Sequence, residues 1–154
     1  MKKQWKVLIF CILLPLAVGG AASLLSNNGM EMFAQMNQPP LSPPAWLFPV
    51  VWTILYTLMG ISSYLILTSE EESIKKAGLL YGYQLVVNFL WPTFFFNFQW
   101  YLFSFLWLLL LIVLVIAMIR EFYKISKPAA YLNIPYLLWL IFAGYLNFAI
   151  WRLN

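Results

Sequence analysis

"AGLLYGYQLVVNFLWPTFFFNFQWYLFSFLWLLLLIVLVIAMI", residues 77–119, contains no charged side chain. A helix rises ~1.5 Å per residue and the bilayer core is ~30 Å thick, so one crossing takes about 20 residues. This run is long enough for two crossings. It must turn back, and "NFQWY" (97–101) is where polar and aromatic side chains cluster. Working outward, the charge-free runs Val7–Met30 and Pro128–Trp151 each hold one span. Met32–Ser69 opens on a polar, proline-rich stretch and holds one more. The expected fold is an all-α membrane protein, a single domain (1–154) with a bundle of five transmembrane helices near 5–26, 44–68, 74–97, 100–124 and 128–151.

Composition supports this. The 154 residues are 64% hydrophobic and 9% charged, more apolar surface than a soluble domain of this size can hide. The start, "MKKQWKVLIFCILLPLAVGGAAS", has the layout of a cleaved signal peptide. Against that reading, the apolar run continues through Leu24 and Leu25, and the small residues Gly19–Ser23 suit close helix packing in lipid. Orientation follows from the basic residues. With the N-terminus inside, Lys2, Lys3, Lys6, Lys75, Lys76, Arg120, Lys124 and Lys127 lie inside and only Arg152 lies outside. The short basic N-terminus favours a bacterial cytoplasmic membrane. The net charge of +4 is spread beside apolar runs and implies no nucleic-acid partner.

Several chemistries are excluded. There is no histidine, and one cysteine permits no internal disulfide or CxxC metal site, so no metal and no required cofactor is expected. No acidic or basic residue falls inside a span, which argues against proton relays and ion-coupled pumping.

The spans carry amides and aromatics in register instead. On the third helix Tyr81, Gln84, Asn88, Trp91 and Phe95 share a face; on the fifth, Tyr136, Trp139, Ala143 and Asn147; on the second, Pro49, Trp52, Tyr56 and Met59. Amides unpaired in lipid are costly, so they bond between helices, line a site, or both. Trp5, Trp46, Trp100 and Trp151 suit an interfacial belt. Trp52, Trp91 and Trp139 lie about 10–20 Å inside the outer face at ~1.5 Å per residue, too deep for that role. They suit the walls of a flat apolar pocket in the outer half of the membrane. The segment 27–43, with "QPPLSPP" (38–44), is an external loop stiffened by proline. It loses little entropy on ordering and fits a lid, with Pro43–Pro44 starting the second helix.

At these residues the chain resembles the TspO/MBR family of tryptophan-rich sensory and translocator proteins. The pieces that carry the likeness are "PPLSPPAWLFPVVWTILYTLMGISSY" (39–64), "QLVVNFLWPTFFF" (84–96) and "PYLLWLIFAGYLNFAIWRLN" (135–154). The resemblance implies a membrane receptor or sensor, often a homodimer, that binds porphyrins such as protoporphyrin IX and drug-like benzodiazepine-site ligands beneath the first loop. By motif match it implies amide contacts from Gln84 and Asn88 and a pocket wall at Ala143; with the registered stripes and the lid, the candidate ligand-binding residues are Pro44, Trp46, Trp52, Tyr56, Gln84, Asn88, Trp91, Trp139, Ala143 and Asn147. It also places Trp52 and Trp139 where light- and oxygen-dependent porphyrin breakdown would be catalysed. Passive transport of porphyrins or other small hydrophobic molecules is the alternative. Two features depart from the family pattern. Trp107 stands where family members carry an acid in the fourth helix. Phe148 replaces the tyrosine of the proposed cholesterol motif, so no specific cholesterol binding is expected.

Overall fold

The computed structural model describes residues 4–26 and 29–154; residues 27 and 28, the start of the expected lid, lie outside the described residues. The elements are α1 (Gln4–Leu25), α2 (Gly29–Gln35), α3 (Leu47–Leu67), α4 (Ile74–Pro92), a π-helical turn (Thr93–Asn97), α5 (Tyr101–Ile125), α6 (Lys127–Tyr131) and α7 (Ile134–Leu153). No β-strand occurs among the described residues. Five segments are long and apolar enough to cross a bilayer: Gln4–Leu25, Leu47–Leu67, Ile74–Asn97, Tyr101–Ile125 and Lys127–Leu153. The protein is thus an all-α, five-span membrane protein.

Proline sets the details that hydropathy does not. Pro92 has no N–H to offer the Asn88 carbonyl, and the helix widens into the π-turn directly after it, with Phe98 N donating to Thr93 O at 3.0 Å. The chain then reverses over Phe98–Trp100, with Gln99 at φ 55°. Pro135, in the first turn of α7, ends the hydrogen-bond ladder of α6, so the fifth span is two helices meeting at Leu132–Asn133. Asn133 stitches that break: its Nδ2 donates to Ala129 O (3.0 Å) and to Ser62 Oγ on α3 (2.7 Å). Pro43 and Pro44 stay in the loop. A turn with Leu47 N donating to Pro44 O (3.0 Å) leads into α3, which opens at Leu47 rather than at residue 44.

Tight packing concentrates on one helix pair. A Cβ added to Gly60 would meet Ile12 Cα at 2.5 Å and Cys11 O at 2.6 Å, so α1 and α3 approach backbone to backbone. Helix α4 packs on α5 and α5 on α7, while α3 and α7 make no extensive backbone contact. Side chains bridge that opening instead, with Phe48 edge-on to Trp139 at 5.8 Å. The bundle therefore has a gap at its centre. At the opposite end Glu121 takes Lys76 (3.3 Å) and Lys124 (3.0 Å), joining the start of α4 to the end of α5.

Candidate functional site

The gap is a cavity of about 630 Å³, bounded by α1, α3, α4, α5 and α7 and roofed by α2. That volume lies within the range of small-molecule sites. Eight aromatic side chains line it, and each is braced against another ring. Trp91 stacks on Phe95 with centroids 4.8 Å apart. Trp52 leans on Tyr56 at 5.3 Å and meets Tyr136 edge-on at 6.1 Å. The roof is α2, a helix inside the segment read from the sequence as loop. Its Phe33 is buried and sits edge-on to Phe48 at 4.9 Å. The chain leaving α2 is pinned to α7. Tyr145 OH donates to Pro40 O (2.8 Å), and Asn154 Nδ2 donates to Asn37 O (3.1 Å).

A polar chain runs behind the aromatic wall. Tyr56 OH donates to Asn88 Oδ1 (3.2 Å), Asn88 Nδ2 to Tyr136 OH (2.8 Å), and Tyr136 OH to Gln84 Oε1 (2.7 Å). Gln84 Nε2 ends the chain at Met59 Sδ, 3.4 Å away. A second link joins Trp91 Nε1 to Asn147 Oδ1 (3.0 Å), with Asn147 Nδ2 donating to Tyr101 O (2.8 Å). These bonds meet the requirement that polar groups in a membrane interior find partners. They also commit the amides to protein. Beyond these bonded groups, and apart from Ser23, Ser26, Glu31 and Thr53, the lining is apolar.

Trp52, Tyr56, Asn88, Trp91, Trp139, Ala143 and Asn147 all line the cavity. Gln84 does not: it is fully buried one layer back, against Tyr136 and Met59. Pro44 and Trp46 are also outside the lining, and Trp46 is 66% exposed at the start of α3. Sequence reasoning missed Gly19, Glu31, Phe33 and Phe48, which the structure adds to the walls. A signal existed for two of them. Phe33 is the only aromatic in the segment 27–43, and Gly19 belongs to the small-residue cluster of α1. A Cβ on Gly19 would collide with the ring of Tyr56, so that glycine makes room for a cavity wall. Trp107, where the family pattern has an acid, faces α4 and donates through Nε1 to Val87 O at 2.7 Å.

The family model described as TspO/MBR family matches residues 11–152. The chain is 37% identical over 157 residues to the tryptophan-rich protein TspO of Chlorobaculum tepidum, covering 100% of this chain and 99% of that protein. It is 35% identical over 132 residues to the translocator protein of Homo sapiens, covering 83% and 78%. To the tryptophan-rich sensory protein of Cereibacter sphaeroides it is 32% identical over 124 residues, covering 80% and 77%.

Proposed function

The chain belongs to the TspO/MBR family, and from that premise we propose that it is a membrane receptor for tetrapyrroles, with protoporphyrin IX as the representative ligand. One observation carries the reading: Trp52, Trp91 and Trp139, from three different helices, wall a single cavity whose amides are already bonded to protein. A flat macrocycle buries both faces against such walls, which is the dominant source of affinity where few polar groups are free. The pinned roof of α2 and the proline loop lies over the cavity, in keeping with a lid. The basic side chains Lys76 and Lys124, gathered at the far end, support an orientation with that end and the N-terminus inside. The test is quenching of tryptophan fluorescence by protoporphyrin IX on the purified protein. Saturable quenching at one ligand per chain is expected; linear, unsaturable quenching would overturn the reading.

A second reading is favoured by a specific arrangement. Trp52 and Trp139 both border the cavity, and Trp52 lies against Tyr56 and Tyr136, which Asn88 links by hydrogen bonds. Indole and phenol side chains are oxidisable. A cavity edged by them suits light- and oxygen-dependent breakdown of a bound porphyrin without an acid or base.

A further inference from the structure

Among the described residues lining the cavity, Glu31 is the only one with a formal charge. It belongs to α2, the roof, and is itself solvent-exposed. No lysine or arginine among the described residues lies within ion-pair distance of it. Arg152, at the end of α7, rests over the ring of Trp151 at 5.8 Å and is not part of the lining. Deeper in, the described lining residues include no cation, and Tyr56, Asn88, Trp91 and Asn147 are engaged with protein.

These facts constrain how a charged ligand can sit. Taking an ionised carboxylate into an apolar wall without a partner costs several kcal/mol, so a ligand's carboxylates must stay at the mouth. Among the described residues that line the cavity, the one fixed charge is another carboxylate. We propose that Glu31 tunes the cavity by charge, weakening flat ligands whose carboxylates sit at the mouth, protoporphyrin IX included, relative to their neutral or cationic counterparts. The inference rests on the reading of the cavity as a porphyrin site and adds a specificity determinant to it. Repulsion between like charges held near one another in a water-rich mouth changes affinity by about 3- to 10-fold for a dianion. At a Debye length of about 10 Å in 0.1 M salt, the effect is partly screened, and it should fade near 1 M.

The experiment compares protoporphyrin IX with its uncharged dimethyl ester, by tryptophan quenching of the full chain in a non-ionic detergent. Glu31→Gln should tighten protoporphyrin IX by about 3- to 10-fold and leave the ester within about twofold, and the gain should shrink in high salt. Glu31→Lys should tighten protoporphyrin IX further and weaken a porphyrin bearing cationic side groups. Because Glu31 is exposed, both variants should fold, and ester binding serves as the check. If the ester binds and its affinity relative to protoporphyrin IX is the same in wild type and both variants, the charge inference falls while the porphyrin site stands. If neither compound quenches saturably in the wild type, the porphyrin reading fails and this inference goes with it.

Discussion

Replacing Asn88 with leucine tests whether the polar chain behind the cavity wall holds that wall in place. Leucine branches at Cγ as asparagine does and keeps the helix, though its two methyls are bulkier than the amide, so the change chiefly removes hydrogen bonding. Tyr136 is insulated from the loss, because its hydroxyl still donates to Gln84 at 2.7 Å. Tyr56 is not, because Asn88 Oδ1 is the acceptor of its 3.2 Å bond and the residue is buried. One orphaned buried hydroxyl costs about 1–3 kcal/mol in proteins, and interhelical bonds in membranes average lower, near ~0.6 kcal/mol. A loss of about 1–2 kcal/mol is therefore expected. Since the Tyr56 ring is cavity wall, ligand affinity should fall by about 5- to 10-fold alongside. The assay is a double-mutant cycle with Tyr56→Phe, read by thermal unfolding in detergent and by protoporphyrin IX titration. Phenylalanine removes the hydroxyl that leucine strands, so the double variant should recover most of the loss, with a coupling of about 1 kcal/mol. A double variant as impaired as the sum of the singles would show that Asn88 acts through packing, and the argument for a braced wall would be refuted.

Three further outcomes follow from particular residues. Gly60→Ala drives a methyl into the α1 backbone and should cost about 2–3 kcal/mol, whereas Gly144→Ala, with open space around its new Cβ, should be neutral or stabilise by up to ~1 kcal/mol; melting curves that move together would contradict the close α1–α3 contact. With protoporphyrin IX saturating under light, Trp52→Phe combined with Trp139→Phe should slow loss of the Soret band about tenfold or more while stacking preserves most affinity, and wild-type bleaching in the double variant would leave a binding protein only. For topology, Trp46→Cys should react with a membrane-impermeant maleimide on intact cells and Glu71→Cys should not, against a quiet background because native Cys11 is buried; the reverse pattern would invert the orientation.

The sequence by itself determined the spans. Length against bilayer thickness is a one-dimensional constraint, and a charge-free run such as 77–119 can satisfy it only by folding back near 97–101, as the chain does at Phe98–Trp100. Periodicity also placed Asn88 and Trp91, Trp52 and Tyr56, and Trp139, Ala143 and Asn147 on common faces, and the structure brings these faces to one cavity. Only the tertiary structure decided what each face meets. Gln84 and Asn88 are one turn apart on the same stripe, yet Asn88 borders the cavity while Gln84 is sealed behind Tyr136. A helical period gives direction around an axis and says nothing of how far the opposite wall stands at each level. The short helix α2, the break at Leu132–Asn133 and the place of Glu31 at the mouth were likewise beyond it. Each depends on contacts between segments far apart in the chain, such as Phe33 with Phe48 and Asn133 with Ser62, and hydrophobicity along one strand of sequence cannot encode which distant partner fills a given space.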